Sequence, residues 1–487
     1  MANTFDFSTL IAILPQLGIF LLGAVVLLLD LFWKDEERSP FAYVTAAGLV
    51  IVGVISAIWA RPGAAGQLVF GGMLRWDWMS FLFTMLFLFG GAVTSLFIRD
   101  YPQTGKQGEF YVLMLTSILG MSLMAGAADL IMLFLAIETT SIPLYVLAGF
   151  LRKDDASSEA GFKYLIYGAV TSAVMLYGFS MLFGMTGTTQ IYEMNQILSN
   201  VVPGVGSLLI ILMVLVGLGF KISAFPFHFW APDVYQGAPT PVAGFLSTAS
   251  KAAGFAVILR FMPLVFYDLR FVWSIVIAVM SIASMTFGNL QALRQKNIKR
   301  LLAYSSIAQA GYMLIGVAAV SGLGFISTAM YVMAYVLTNL TAFGIISIVG
   351  RVVGSDEVQA YAGLSRRSPS LALAMLVAFL SLAGIPPFAG FAAKIFLFSS
   401  AVQVMQYPWL FTLAIFGILN AIIALYYYLV VMKVVYLGRS ENDTEPLPVA
   451  ESTRTSVLVF TAAIVVLGIA ISPWFTAAQT AIQSIFN

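Results

Sequence analysis

The amino-acid sequence predicts an all-α integral membrane protein with about fourteen transmembrane helices. Of its 487 residues, 60% are hydrophobic and only 9% are charged, whereas a soluble domain carries roughly 25% charged residues. The apolar residues fall into runs of about 20, the length that an α-helix needs to cross the hydrocarbon core of a bilayer. We therefore expect a single polytopic membrane domain over 1–487.

The apolar runs follow one another along the chain and are separated by short polar connections. No basic residue precedes the first run, so we interpret it as a retained membrane helix and not as a cleaved signal peptide. The longest polar stretch, 439–454, is expected to be a solvated connection. In chain order, predicted helices 1 to 14 span 9–32, 41–60, 77–98, 109–127, 129–151, 161–186, 205–231, 239–266, 271–290, 302–320, 324–349, 370–402, 408–437 and 455–475.

Lysine and arginine segregate between alternate connections. The odd-numbered connections hold sixteen of them, and the other side holds four, Arg61, Arg75, Arg260 and Arg270. Because cytoplasmic connections are enriched in basic residues, we expect the odd connections in the cytoplasm and both termini on the outer side. A wrong helix count would have mixed the two sets, so the segregation supports fourteen helices.

Composition also excludes several function classes. The chain has no cysteine, which excludes disulfides and thiolate-ligated iron–sulfur clusters. The single histidine, His228, cannot supply bis-His haem ligation or a His-rich metal site. No Gly-rich nucleotide loop follows a predicted strand. We therefore predict no metal site, and energy for any work must come from an ion gradient or from partner subunits.

Five ionisable residues fall inside the apolar runs. Four lysines lie outside every connection, and one glutamate lies near the middle of helix 5. A charge at the centre of a bilayer costs about 2.5–3.5 kcal/mol on insertion scales, so several of them indicate a function. The residues are Glu138, Lys163, Lys221, Lys251 and Lys394, of which Lys163 is nearest to the start of its helix.

A proton relay is the interpretation that we favour for these charges. Burial disfavours the charged form of a lysine and a nearby carboxylate favours it, so an amine held between the two influences can exchange a proton near neutral pH. A static ion pair, such as Glu138 with Lys221, is the structural alternative, and a solute-binding site is a third. Three mid-membrane lysines and one glutamate do not balance in charge, which argues against a purely structural network.

Proline residues predict breaks in two of these helices. Pro226 follows Lys221, and Pro386 and Pro387 precede Lys394. Broken helices at membrane depth are tolerated where they are buried or line a watery cavity, and in transporters a corresponding pair of breaks marks the ion path. Helices 7 and 12 are five apart, as in two inverted five-helix repeats, helices 4–8 (109–266) and 9–13 (271–437).

Other polar residues are weaker candidates. His228 follows Lys221 by seven positions, two turns of a regular helix, so it either passes protons along the same face or is hydrogen-bonded at a helix end. Tyr304, like Gln309 and Asn339, could hold water, although single polar groups usually hydrogen-bond across helices. Lys299, just before helix 10, is a cytoplasmic anchor or a further relay group.

Four segments resemble the antiporter-like membrane subunits of respiratory complex I, the NADH-quinone oxidoreductase. They are "FKISAFPFHFWAPDVYQGAPTPVAGFLSTASKAAGF" at 220–255, "ETTSIPLYVL" from Glu138, "KRLLAYSSIAQAGY" at 299–312 and "GIPPFAGFAAKIFLF" at 384–398. Within the family, these segments are most similar in sequence to the subunit N branch. The sister branches usually have His at the position of Tyr235, and one of them has Glu at the position of Lys394.

The resemblance implies a fold, a function and partners. It implies fourteen helices with two inverted repeats and with helices 7 and 12 broken, and it matches Glu138, Lys163, Lys221, Lys251 and Lys394 to family positions. The chain would be a non-redox, proton-translocating subunit in a bacterial-type plasma (inner) membrane. It would bind no cofactor, and NADH, FMN, iron–sulfur clusters and quinone would lie on partner subunits. The alternatives are a cation/proton antiporter subunit and a solute transporter or structural membrane subunit.

Overall fold

The computed structural model describes residues 7–33, 40–99, 101, 104–199, 204–404, 407–439, 445–449 and 451–486. Most of these residues lie in helices. In the first part of the chain the helices are α1 (Phe7–Ala12), α2 (Leu14–Phe32), α3 (Phe41–Trp59), α4 (Trp78–Ile98), α5 (Gly108–Gly126), α6 (Leu130–Ala148), α7 (Asp155–Thr186) and α8 (Ile191–Leu198). The middle holds α9 (Val205–Lys221), α10 (Trp230–Gly237), α11 (Thr240–Phe245), α12 (Lys251–Val265), α13 (Arg270–Ala292), α14 (Ile298–Ala318) and α15 (Gly322–Val353). The last part holds α16 (Leu364–Arg367), α17 (Pro369–Ala383), α18 (Ala389–Gln403), α19 (Pro408–Leu437), α20 (Glu451–Ile469) and α21 (Ile471–Phe486).

The predicted membrane-spanning character is confirmed for most of the chain. Within the described ranges, 11 helices are long and apolar enough to cross a membrane. A π-helical turn, Leu246–Ser250, joins α11 to α12, and these three segments count as one span. Each of the 11 coincides with a predicted helix. The three other predicted spans, 205–231, 370–402 and 455–475, meet shorter or bent helices, so the count of fourteen stays a prediction.

Predicted helices 7 and 12 are interrupted where the prolines predict it. The first is divided into α9 and α10 by residues 222–229, which contain Pro226. The second is divided into α17 and α18 by residues 384–388, which contain Pro386 and Pro387. At the first break the Trp230 Nε1 donates to the Phe220 carbonyl at 3.1 Å, so the break satisfies a backbone acceptor that the helix end leaves free.

The helix predicted over 455–475 is bent before its end. The chain bends by 82° between α20 and α21, and the last helix continues to Phe486. Gly468, just before the bend, packs against the break of helix 12, since an added Cβ there would lie 1.9 Å from the Pro387 carbonyl oxygen. Hydropathy does not record such a bend, because α20 and α21 are both apolar.

A short hairpin departs from the purely helical prediction. Strands β1 (Gln67–Val69) and β2 (Leu74–Trp76) pair antiparallel between α3 and α4. Gly71 and Gly72 take positive φ angles of 65° and 88° in the turn, a conformation that glycine adopts without strain. The hairpin ends at Asp77, whose side chain accepts from the Ser80 backbone N–H at 2.8 Å and caps α4.

The assignment of Arg260 to an outer connection is also wrong. Arg260 lies inside α12 with 2% of its surface exposed. Its guanidinium donates to both oxygens of Asp77, at 2.7 and 2.8 Å, and its Nε donates to the Ala125 carbonyl at 3.1 Å. A bidentate partner satisfies a buried guanidinium, which explains how an arginine is accommodated at the end of an apolar run.

Candidate functional site

The first buried amine, that of Lys221, is held close to Glu138 but is not paired with it. Lys221 is the last residue of α9, at the break, and not at mid-helix as predicted. Its Nζ donates to the Ser141 Oγ at 2.6 Å, and Ser141 is one helical turn after Glu138 on α6. Among the described residues, no carboxylate oxygen of Glu138 lies within 4.0 Å of the Lys221 Nζ. One carboxylate oxygen of Glu138 is buried without a hydrogen-bond partner.

The second buried amine, that of Lys251, lies deep between three helices. Lys251 is the first residue after the π-helical turn and is 1% exposed. Its Nζ donates to the backbone oxygen of Ser306 at 2.6 Å and to the Ser306 Oγ at 2.5 Å. The Tyr335 hydroxyl donates to the same Oγ at 3.0 Å, and Asn339 donates to the Tyr335 hydroxyl at 3.0 Å and to the Ser247 Oγ at 2.7 Å. Turns of π-helix often occur at functional sites.

The third buried amine, that of Lys394, is bound by the end of a broken helix. Its Nζ donates to the Leu382 and Ala383 carbonyls, both at 2.9 Å, and lies 4.4 Å from the centre of the Tyr312 ring. These carbonyls belong to the last turn of α17, which has no helical donor for them and carries the negative end of the helix dipole. The break therefore creates the acceptors that hold the amine.

Gly384 makes room for that arrangement. It caps α17 in the left-handed conformation, with φ of 88°, which favours glycine. An added Cβ would lie 2.7 Å from the Lys394 Cδ and 3.3 Å from its Nζ. A side chain at this position would therefore occupy the space through which Lys394 reaches the carbonyls.

Polar groups connect the second and third amines along α14. Gln309 donates to the Leu382 carbonyl at 3.0 Å, which is also an acceptor of Lys394. Tyr331 hydrogen-bonds Gln309, and Tyr428 hydrogen-bonds Ser305, which is adjacent to the Ser306 that binds Lys251. The prediction that Gln309 and Asn339 hydrogen-bond across helices is confirmed.

The first and second amines share one side of α12. Gly254 follows Lys251 by three positions, so the two lie on one face of the helix. An added Cβ at Gly254 would lie 3.3 Å from the Lys221 Cβ. The stem of Lys221 thus packs against α12 one turn from Lys251, and the broken helix and its neighbour bring the two amines to the same region.

The break in helix 7 places His228 off the regular face of α9 that carries Lys221. The helix ends at Lys221, so the two residues do not share a regular helical face. Neither ring nitrogen of His228 has a hydrogen-bond partner among the described residues, although the side chain is buried. Its ring stacks on Phe225 and Phe229 at centroid distances of 5.3 and 4.5 Å, and contacts Phe287 edge-on at 4.6 Å. The structure places His228 in an aromatic cluster.

Lys163 is not buried with the other lysines. About a third of its side chain is exposed, and its Nζ forms ion pairs with Glu159 at 2.7 Å and with Asp233 at 2.6 Å. Arg300 binds the other oxygen of Asp233, also at 2.6 Å. Although partial burial opposes it, the hydrogen bonds from Lys163 and Arg300 lower the pKa of the Asp233 carboxyl. The cluster fastens α10 to α7 and α14, and Tyr304 lies beside it, with Arg300 5.9 Å from its ring centre.

Lys299 is buried more deeply than an anchor at the membrane surface. Only 5% of its surface is exposed, and its Nζ lies 3.1 Å from the Asp356 carboxylate and 3.2 Å from the Ala238 carbonyl. Asp356 precedes the segment that returns to α14, where the Ile298 backbone N–H donates to the Asp356 carbonyl at 2.8 Å. The sequence did not predict the ion pair between Lys299 and Asp356, because the two residues belong to different predicted connections.

Sequence reasoning missed the groups that bind the amines and the cluster around Asp77. Arg75 lies 3.4 Å from Asp77 and packs over the Tyr192 ring at 4.4 Å, and Tyr192 also accepts from Arg260 at 2.6 Å. Arg75 further donates to the Ser484 carbonyl at 3.3 Å, which ties α21 to the hairpin. The sequence shows that charged residues stand beside the apolar runs, but it does not show which of them pair. Within the described ranges no group of three or more His, Asp and Glu could hold a metal ion.

Comparisons with known proteins all find membrane proteins of one family or fold. A membrane family described as NADH:quinone oxidoreductase/Mrp antiporter matches residues 127–437. NADH-quinone oxidoreductase subunit N of Moorella thermoacetica is 42% identical over 93% of this chain and 94% of its own length. A chain of respiratory complex I from Thermus thermophilus is 32% identical, with a TM-score of 0.80 over 96% of this chain and 99% of that one. A chain of the Mrp complex from Dietzia has a TM-score of 0.87 over 99% and 100% but is 19% identical, so it shows the fold alone.

Proposed function

Because the chain belongs to the family of NADH-quinone oxidoreductase subunit N, we propose that it is a proton-translocating membrane subunit of complex I. It couples quinone reduction on partner subunits to proton transfer through its buried amines. The chain itself carries out no redox step, and NADH, FMN, iron–sulfur clusters and quinone bind to partners.

A single observation carries the assignment of the relay. The amines of Lys221, Lys251 and Lys394 are all buried, and each is bound only by hydroxyl or carbonyl oxygens. Among the described residues none of the three has a carboxylate oxygen within 4.0 Å, which argues against static ion pairs. An amine without a carboxylate partner gains or loses a proton without breaking an ion pair, and such a costly placement is typical of proton pathways.

The proposed order of transfer follows the contacts. A charge change in a partner subunit acts on Glu138, which is one turn from the Ser141 that binds Lys221. The proton of Lys221 moves through water along α12 to Lys251, and from Ser306 along the polar side of α14 to Lys394, which releases it outward. His228 is left out of this route, because its ring is enclosed by phenylalanines.

We further propose fourteen membrane crossings with both termini outside, and two inverted repeats, helices 4–8 and 9–13. The segregation of basic residues supports the orientation. The repeats are supported by the two breaks, since Lys221 lies directly before one and Lys394 lies in the second turn of the helix that follows the other. In an inverted pair of helices, equivalent ends point to opposite sides of the membrane.

The exposed apolar face around Glu138 supports a position for a partner subunit. Ile131, Leu135, Ile142 and Val146 lie on one face of α6, and each is about half exposed. Glu138 is seven positions after Ile131, so it lies on the same stripe. A carboxylate facing lipid is costly. We therefore propose that another membrane subunit of the complex packs on this stripe and acts on Glu138.

Substitution of Lys221 in the assembled complex tests the relay. We expect Lys221→Ala to lower NADH-driven proton pumping in proteoliposomes by roughly 10²-fold, the lower range for loss of a proton-transfer group. Lys221→Arg should also pump poorly, because arginine keeps its charge at any physiological pH. Lys153→Ala, an exposed lysine, is the matched control. Normal pumping by an assembled Lys221→Ala complex would contradict the relay role.

A cation/proton antiporter subunit is the second candidate, favoured by the shared family and by the fold of the Mrp complex chain. The same proteoliposomes distinguish the two functions. Proton flux that requires NADH and quinone supports the complex I subunit. Proton flux driven by a sodium gradient without electron transfer supports the antiporter.

A further inference from the structure

A polar cavity of about 420 Å³ opens between the ends of several helices on the side predicted to be cytoplasmic. Its lining includes Tyr101, Gln236, Thr240, Lys299, Arg351 and Asp356. The cavity is large enough for many water molecules. It lies on the side of Lys163, Asp233 and Arg300, and the proposed relay does not yet use it.

Lys299 and Asp356 meet in the lining of this cavity. The amine of Lys299 is almost fully buried, whereas 28% of the Asp356 side chain is exposed. Their atoms are 3.1 Å apart, and the Ala238 carbonyl accepts from the amine at 3.2 Å. Because the carboxylate faces the cavity, water there can solvate it when the pair separates. The pair is closed in this structure.

The helix dipole disfavours the positive charge of Lys299. Lys299 is in the first turn of α14, where the helix dipole is positive and a cation is disfavoured. Asp356 offsets this repulsion, and the Ala238 carbonyl assists it. The amine therefore depends on one partly exposed carboxylate to stay in place.

One face of α14 leads from Lys299 to the residue that binds the amine of Lys251. Ala303 and Ser306 follow Lys299 by four and seven positions on the regular helix α14, so the three lie on one face. Ser306 binds Lys251, about 10 Å along the axis from Lys299. On the facing segment, the Tyr235 hydroxyl is 3.5 Å from the Ser306 Oγ, just as Ala238 faces Lys299. Between the two levels, α14 presents Leu302 and the small side chain of Ala303, three and four positions after Lys299, and the line passes on the side of Ala303.

We propose that the Lys299–Asp356 ion pair is a gate between the cytoplasmic cavity and Lys251. When the pair opens, water from the cavity passes Ala303 and reaches Ser306, and a proton is delivered to Lys251. When the pair closes, Lys251 exchanges protons only with the interior of the protein. The gate rests on the proposed relay, because it supplies the protons that the relay moves.

Cysteine accessibility tests the gate without relying on activity. The chain has no cysteine, so Ala303→Cys places a single reporter on the line between Lys299 and Ser306. The assembled complex is treated from the cytoplasmic side with a small water-soluble methanethiosulfonate, and labelling of this chain is measured by mass spectrometry. The labelling rate of Ala303→Cys is compared in three backgrounds: with the native Lys299–Asp356 pair, with Asp356→Asn and with Lys299→Met. The exposed residue Lys296 supplies the control variant, Lys296→Met.

The gate predicts a specific pattern of rates. We expect slow labelling with the native pair and with Lys296→Met, and a rise of about tenfold in Asp356→Asn and Lys299→Met, equivalent to about 1.4 kcal/mol less favourable closure. The double variant Lys299→Asp with Asp356→Lys should restore slow labelling. If the Ala303→Cys complex does not assemble, Ala243→Cys is the second reporter, since Ala243 is buried between Thr240 of the cavity and Ser247.

Two results would overturn the gate. Equal labelling in all backgrounds would show that the pair does not control access. Faster labelling in Asp356→Asn with unchanged proton pumping would show that access through the pair does not control proton transfer to Lys251. The failure of the relay itself is distinguishable, because an assembled Lys221→Ala complex would then pump normally whatever the labelling of the reporter.

Discussion

Replacing Gly384 with alanine tests the position of Lys394 without changing its chemistry. The new Cβ would lie 2.7 Å from the Lys394 Cδ, where something must move. The flexible lysine chain moves more easily than the helix, so its amine is displaced from the Leu382 and Ala383 carbonyls, each now at 2.9 Å. Hydrogen bonds of charged groups contribute about 1.5–3 kcal/mol each. A partial loss of about 1–2 kcal/mol corresponds to a factor of about 5–30.

Gly187→Ala is the matched control for this change. Gly187 also caps a helix in the left-handed conformation, with φ of 69°, but an added Cβ there meets no atom within 4 Å. Both variants therefore carry the same backbone strain, about 1–2 kcal/mol, and only one displaces a lysine. We expect Gly384→Ala to lower proton pumping in proteoliposomes about 5–30-fold and Gly187→Ala to leave it unchanged. Equal pumping by the two assembled variants would refute the proposed role of the carbonyl-bound amine.

Three further substitutions separate relay groups from structural ones. Ser141→Ala removes the hydrogen-bond acceptor that the described residues provide for the Lys221 amine and should slow pumping about fivefold or more, by about 1 kcal/mol; an unchanged rate would mean that Ser141 does not position the amine. Arg260→Ala takes the bidentate partner from the buried carboxylate of Asp77 and leaves only the more distant Arg75 at 3.4 Å, so we expect the stability of the complex to fall by about 3–5 kcal/mol or assembly to fail; a stable complex would show that Arg75 or water replaces the guanidinium of Arg260. His228→Phe should preserve pumping, because the ring contacts phenylalanines; a large loss would return His228 to the proton route.

The buried lysines were predictable to different degrees. Lys221, Lys251 and Lys394 were predicted inside the membrane and are buried. Lys163 was predicted with them but lies near a helix end with carboxylates around it. An apolar run has no sharp boundary, so a lysine near its start can reach the surface, as long basic side chains often do.

Local sequence determined the membrane-spanning helices, the two breaks and the presence of buried amines. Hydropathy and the effect of proline act over one or two turns, so they can be read along the chain. Only the tertiary structure decided what each amine contacts. Lys251 meets a serine 55 positions away, Lys221 one 80 positions away, and Arg260 an aspartate 183 positions away. Such partners depend on which helix faces pack together, and nothing in an apolar run specifies which face meets which.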